Sequence, residues 1–147
     1  MTTVAFDGVN MSCDTMITDG HTKMYIPTKL VKSKEFVLGW AGNVGVARRS
    51  LAGVADLGLN ELLLKGIRGQ EDLEEKISVI LVCRETRQVF TMVGNNFINV
   101  LGNTHAIGSG ASIAVGAMLC GATSKEAVKT AAKVDLNTGG RVITVKV

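Results

Sequence analysis

The chain reads as an α+β fold, with antiparallel sheets carrying helices segregated onto their outer faces. Three observations point there. Ile77-Ser78-Val79-Ile80-Leu81-Val82-Cys83 is an almost continuous apolar run, as a strand covered on both faces requires. Thr123-Ser124-Lys125-Glu126 is a capping box that opens a helix through Val134. Finally, strands, a helix, more strands, two helices and a strand follow in that order, which suits segregated layers better than alternating βαβ units.

Each element has its own signal. Thr2 to Phe6 reads as a strand, Asp7-Gly8 as a hairpin turn, and Val9 to Cys13 as the returning strand. Met24-Tyr25-Ile26 and Lys29-Leu30-Val31 read as a second strand pair around a short loop, with Phe36-Val37-Leu38 following. From Val44 to about Lys65 apolar residues recur at helical spacing, with Gly53 and Gly58 as breaks. The acidic run Glu71 to Glu75 reads as a solvated face or loop. After Arg84-Glu85-Thr86-Arg87, strands are predicted at Gln88 to Val93, Asn96 to Val100 and Ala106-Ile107. A small-residue helix is predicted at Ala111 to Cys120 and a last strand at Arg141 to Val147.

Composition narrows the function. The 147 residues suffice for a single domain, residues 1–147, and 46% hydrophobic against 20% charged residues builds a proper core. The apolar stretch Ala111 to Ala122 is too short to span a bilayer, which takes roughly 20 residues. The first seven residues hold no basic leader and end on Asp7, unlike a secretion signal. No membrane role is expected. Net charge is +3 with scattered basic residues, and six aromatics make no stacking platform, so nucleic acid is a poor partner. Cys13, Cys83 and Cys120 are odd in number and lack CxxC spacing. They read as buried, reduced thiols of a cytoplasmic protein, with no zinc site. His21 and His105 read as a loop and a strand histidine without metal-ligand spacing, so neither a metal nor another cofactor is expected.

With Met1 removed, Thr2 would be a nucleophile and base in one residue, since its hydroxyl attacks and its own α-amine accepts the proton. Several short segments in order give this weight. Thr2-Thr3-Val4-Ala5-Phe6, Cys13-Asp14-Thr15-Met16, Lys29-Leu30, Gly39-Trp40-Ala41-Gly42, Ala106-Ile107-Gly108-Ser109-Gly110 and Asp135-Leu136-Asn137-Thr138-Gly139-Gly140 resemble the signature segments of proteasome β-type subunits. The bacterial HslV-type peptidase, which works with an unfoldase, is nearest in size. The resemblance runs from Thr2 to Val147.

That resemblance implies a four-layer αββα sandwich of the N-terminal-nucleophile hydrolase kind and a threonine peptidase. Thr2 matches the nucleophile, Asp14 the acid ending the second strand, and Lys29 the lysine paired with it, preferred over Lys32 and Lys34 because Leu30 and Val31 follow. Gly42 matches the glycine whose N–H holds the oxyanion, and Trp40 stands at the base of the main specificity pocket. Ser109, Asp135 and Thr138 match the residues that orient the terminal amine, although the family more often has serine at the last position. The implied partners are unfolded polypeptide substrates, further copies in a homo-oligomeric ring, and an ATP-dependent unfoldase. Two alternatives stay open: an inactive proteasome-like scaffold if Met1 is retained, and an N-terminal-nucleophile amidase acting on small amides.

The chain departs from the family in two places. Leu57 to Lys76 is short for the family's pair of long helices. The first hairpin is also short, with Gly8 midway between Thr2 and Asp14. An equal and even loss from each strand keeps those two residues facing one another.

Overall fold

The computed structural model describes residues 2–68 and 76–147; the acidic run at 71–75 lies outside them. In chain order the strands and helices are β1 (Thr3–Phe6), β2 (Asn10–Cys13), β3 (Met16–Asp19), β4 (Thr22–Tyr25), β5 (Leu30–Lys32), β6 (Phe36–Gly42), α1 (Val44–Ser50), a 3-10 turn (Val54–Asp56) and α2 (Leu59–Lys65). There follow β7 (Ile77–Cys83), β8 (Val89–Val93), β9 (Asn96–Val100), β10 (His105–Gly108), α3 (Ala111–Leu119), α4 (Ser124–Val134) and β11 (Ile143–Lys146). Among the described residues these form two large antiparallel sheets, ordered β10-β1-β2-β11 and β5-β6-β7-β8-β9, and a two-stranded ribbon β3-β4.

Three apolar layers separate four structural ones. Val4, Phe6, Met11 and Cys13 from the first sheet meet Val37, Ile80, Val82 and Val89 from the second. The outer face of the second sheet, with Phe36, Leu38, Trp40, Val79 and Leu81, is covered by Val46, Ala47, Leu51 and Leu62 of α1, α2 and the turn after α1. The outer face of the first sheet is covered at Ala5 by Ala114 and Met118 of α3 and Ala127 and Val128 of α4. This is the αββα sandwich. Strand β7 explains its own composition: Ile77, Val79 and Leu81 face the helices while Ile80 and Val82 face the other sheet. With both faces buried, a period-two pattern has no reason to alternate apolar with polar.

Glycine sets the spacing between the sheets at one point. A Cβ on Gly39 would lie 2.5 Å from Val4 Cγ1 and 3.0 Å from Met11 Sδ, so only glycine lets β6 approach β1 this closely.

The expected pairing of Met24–Ile26 with Lys29–Val31 does not form. Thr22–Tyr25 pairs instead with Met16–Asp19, a strand the sequence pattern did not mark, in an exposed two-stranded ribbon. Leu30–Lys32 pairs with β6, setting Leu30 opposite Gly39. Pro27 offers no N–H to a ladder at this point, and the polar run Thr18-Asp19 with Thr22-Lys23 interrupts any apolar period along the ribbon. The helical stretch after Val44 breaks at Gly53, where φ is +73°, and at Gly58, which starts α2. Thr123 caps α4, its hydroxyl accepting from the Glu126 N–H at 3.2 Å. All three cysteines are free, but Cys120, expected to be buried, is exposed just past the end of α3. Among the described residues no helix is long and apolar enough to cross a membrane, and no His/Cys/Asp/Glu cluster could hold a metal ion.

Candidate active site around residue 2

Strand β1 starts at Thr3, so residue 2 sits at the end of the first sheet where three loops converge. Its side chain is buried, with 1% of its surface exposed. The first hairpin delivers Asp14 to it. Asp7 closes that hairpin, its Oδ1 accepting the N–H of Val9 at 2.9 Å and of Asn10 at 2.8 Å, and Gly8 turns at φ +95°. The ladder pairs Val4 with Cys13. Asp14 therefore lies across from Thr3, to whose carbonyl it donates its N–H at 3.1 Å, one residue off the facing position expected for Thr2. The carboxylate covers the offset. Its Oδ1 accepts from the Thr2 hydroxyl and from the Thr3 N–H at 3.2 Å, and its Oδ2 accepts from the Gly139 N–H at 3.0 Å.

Lys29 comes from the segment just before β5. Its backbone is fixed by the Trp40 N–H, which donates to its carbonyl at 3.1 Å, and its own N–H points at Cys13 Sγ at 3.4 Å. The side chain is 1% exposed, whereas Lys32 and Lys34 both lie in solvent. An ammonium has three protons, and three acceptors surround this one: Thr2 Oγ1, Asp14 Oδ1 at 2.8 Å and the Met16 carbonyl at 2.5 Å. Burial pushes the Lys29 pKa down, and the attraction and hydrogen bond of Asp14 push it back only in part, so the net shift is downward. The cation beside the Thr2 hydroxyl is thus one that gives up a proton more readily than a solvated lysine.

On the other side of residue 2 stands a second polar group. The β10–α3 turn, Gly108-Ser109-Gly110, folds around the chain end. A Cβ on Gly108, at φ +97°, would fall 1.9 Å from the Thr2 carbonyl oxygen. Ser109 does not cap α3; Gly110 holds that position. Its hydroxyl donates instead to Asp135 Oδ2 at 2.5 Å, with the Thr2 carbonyl a weaker acceptor at 3.5 Å. Thr138 donates to the same Oδ2 at 2.5 Å. Asp135 ends α4 and also accepts the Asn137 N–H at 3.2 Å. Partial burial raises its pKa, but the Ser109 and Thr138 hydroxyls and the Asn137 N–H outweigh this and hold it below the ordinary carboxylate value.

Gly42 ends β6 with φ +122°, a conformation that glycine alone adopts readily, and a Cβ there would lie 2.7 Å from the Lys76 carbonyl. It lines a cleft of about 630 Å³ whose opposite wall is the β3–β4 ribbon, from Ile17 to Gly20 and at Met24. Trp40 is largely buried on the helical face of β6. It also lines a separate cavity of about 370 Å³ with Ile26, Val31, Val44, Ala47 and Arg48. His21 lies in the β3–β4 turn; His105 lies in β10, its Nε2 2.8 Å from the Gly102 carbonyl.

The structure thus brings Thr2, Asp14 and Lys29 into one hydrogen-bonded group and Ser109, Asp135 and Thr138 into another beside it. Three contributors escaped the sequence reading. The Met16 carbonyl and the Gly139 N–H are backbone groups with no residue-type signal. Thr3 did carry one: it is a polar residue on the helix-facing side of an apolar strand.

Solved structures share this arrangement of elements over the full chain. A Thiobacillus denitrificans protein, BPH, superposes with a TM-score of 0.73 at 18% identity, covering 100% of this chain and 97% of its own. Its complex with epoxomicin gives 0.72 at 18% identity, covering 100% and 98%. Eukaryotic HslV from Trypanosoma brucei gives 0.70 at 19% identity, covering 98% of each chain. No protein-family model matches the chain, and no curated protein matches it in sequence. At these identities the likeness is one of fold: the chain shares the αββα fold of BPH and HslV.

Proposed function

We propose that the chain is a threonine peptidase subunit, activated by removal of Met1, with Thr2 as nucleophile. One observation carries the reading: a buried lysine, its pKa lowered, contacts both the Thr2 hydroxyl and a buried carboxylate. Such a pair is costly to bury and contributes little to stability against an apolar replacement, so its presence asks for a chemical reason.

In this mechanism the α-amine of Thr2 takes the hydroxyl proton, and Oγ1 attacks the carbonyl carbon of a peptide bond. Lys29 favours the developing alkoxide by its charge and, by like-charge repulsion, keeps the neighbouring amine a free base. Asp14 holds the ammonium in place. The carbonyl oxygen becomes an oxyanion, held by the Gly42 N–H. The C–N bond breaks as the amine of Thr2 returns its proton to the leaving nitrogen, leaving an ester on Oγ1 that water hydrolyses. Ser109, Asp135 and Thr138 orient the amine. The cleft between the ribbon and Gly42 receives the polypeptide, and the apolar cavity at Trp40 takes a side chain flanking the cleaved bond.

Self-assembly into a ring completes the reading, with unfolded chains as substrates and a separate ATP-driven unfoldase as feeder.

Epoxomicin, seen on the Thiobacillus protein, is the natural probe. Intact mass should give the chain without Met1, and the probe should add once, at Thr2. Thr2→Ala should lose labelling and peptide cleavage while keeping fold and assembly. Met1 retained on protein from its native host, with no labelling, would make the chain a scaffold. Labelling without peptide cleavage would make it an amidase. Peptide cleavage surviving in Thr2→Ala would remove Thr2 from the mechanism.

A further inference from the structure

The hydroxyl of Thr3 is fully buried on the helix-facing side of β1, 2.7 Å from Thr138 Oγ1. A hydroxyl has one proton, and a carboxylate has none to give while ionised. Thr138 spends its proton on Asp135 Oδ2 at 2.5 Å, so the bond to Thr3 must run the other way, with Thr3 donating. Ser109 spends its proton on the same Oδ2, also at 2.5 Å. The order is therefore Thr3 to Thr138 to Asp135, met from the other side by Ser109. Every proton points toward one carboxylate oxygen, which leaves the Ser109 lone pairs able to accept a hydrogen bond from an amine on residue 2.

The surroundings are shaped for this chain of hydroxyls. A Cβ on Gly110 would lie 2.1 Å from Thr3 Oγ1, 2.9 Å from Ala131 Cβ and 3.1 Å from Thr138 Oγ1. Glycine at 110 leaves that room free. The charged groups on the surrounding elements are Asp14 after β2, Lys29 before β5 and the exposed Lys133 in the last turn of α4.

We propose that Thr3 is a positioning residue: its buried hydroxyl fixes the direction of the Thr138–Asp135–Ser109 hydrogen bonds, and through them presents Ser109 as an acceptor to the residue-2 amine. This deepens, and for its catalytic consequence rests on, the reading of Thr2 as nucleophile. In Thr3→Val the β-branched shape stays and the donor goes. Thr138 then loses the bond that aligns it, and its hold on Asp135 weakens.

The test is the carboxyl ¹³C titration of Asp135 in the full chain, alongside the pH profile of kcat/KM on a peptide. Thr3→Val should move the Asp135 midpoint up toward the ordinary carboxylate value, and Thr3→Ser should restore it. In the same variants kcat/KM should fall roughly tenfold and recover, with KM unchanged. An Asp135 midpoint unmoved in a folded Thr3→Val chain overturns the proposal whatever the activity. A moved midpoint in a chain whose wild type never cleaves peptide upholds the hydroxyl order and overturns the peptidase reading instead. Should Thr3→Val fail to fold, Thr3→Ala makes the same comparison without the added methyl.

Discussion

Asp14 and Asp135 both approach residue 2, and they are held by different means. Asp14 is fully buried and faces a buried cation, with Lys29, Thr2, Thr3 and Gly139 all donating to it. Asp135 is only partly buried, has no salt-bridge partner among the described residues, and is surrounded by neutral donors: two hydroxyls and a backbone N–H. A buried pair is strong only while both members are present, because either one alone is an uncompensated charge. A carboxylate held by neutral donors loses them one at a time. The first arrangement suits a group that must carry charge at a reacting hydroxyl, and the second suits one that only orients.

The largest expected effect breaks the first arrangement. Lys29→Met should abolish turnover and cost about 3–5 kcal/mol of stability, since Asp14 is left buried and unpaired. Asp14→Asn added to it should return most of the stability and none of the activity. A denaturant melt of wild type and the two variants, with a turnover assay beside it, checks this. A Lys29→Met chain as stable as wild type would show that the pair is solvated after all, and the contrast between the two carboxylates would vanish.

A steric change comes next. Gly110→Ala places a methyl where the Thr3 and Thr138 hydroxyls meet, and the backbone of β1 and α3 must part to admit it. The expected cost is about 1–3 kcal/mol, as for overpacking elsewhere in protein cores. Labelling at Thr2 should slow, while the Lys29–Asp14 pair should keep its contact. Equal damage to both groups would mean they form one unit.

How much of this was legible beforehand depends on what each residue faces. Strand β7 and helix α4 were plain because burial on two faces and a capping box leave marks in residue type. The β3–β4 ribbon was not, because Thr18, Asp19, Thr22 and Lys23 are exposed on it and exposed strands carry no apolar period. Cys120 followed apolar neighbours into an expectation of burial, yet it stands exposed just past the end of α3. At the site, Thr2, Asp14 and Lys29 came from ordered short segments rather than from any local pattern. Lys29 was set apart from Lys32 only by the Leu30-Val31 that follows it, and the structure buries the first lysine just ahead of β5 and leaves the second exposed at its end. The offset of Asp14 by one residue was invisible for another reason: register depends on the turn, and the Asp7-Gly8 turn fixes it only once its hydrogen bonds are known.

Replacing the second carboxylate should have a smaller effect. Asp135→Asn should leave the fold in place at a cost of about 1–2 kcal/mol, from weakened bonds to Ser109 and Thr138. Activity should fall roughly 100-fold, through kcat rather than KM, because the amine is still present but no longer oriented. A loss as complete as that of Lys29→Met would mean that Asp135 does more than orient.

The smallest effect is a shift in acid stability, and it separates site from scaffold along α4. Asp7 and Asp135 stand at opposite ends of this helix, Asp7 Oδ2 accepting the Ser124 N–H at 2.7 Å at its start. For Asp7 partial burial pushes the pKa up, but the Asn10, Ser124 and Val9 N–H groups outweigh it and leave a net lowering, as hydroxyls and an N–H do for Asp135. A carboxylate whose folded pKa lies below its unfolded one stabilises the fold above the unfolded value, about 3.9. That contribution is lost as pH falls through the folded pKa. Thermal melts from pH 7 to pH 2 should therefore decline most steeply below about pH 4, and both Asp7→Asn and Asp135→Asn should flatten the decline. Only the second should also reduce turnover at neutral pH, since Asp7 touches no group near residue 2. If Asp7→Asn slowed peptide cleavage as much as Asp135→Asn, the placement of α4 as a whole would set the activity, and the local hydrogen bonds of Asp135 would not.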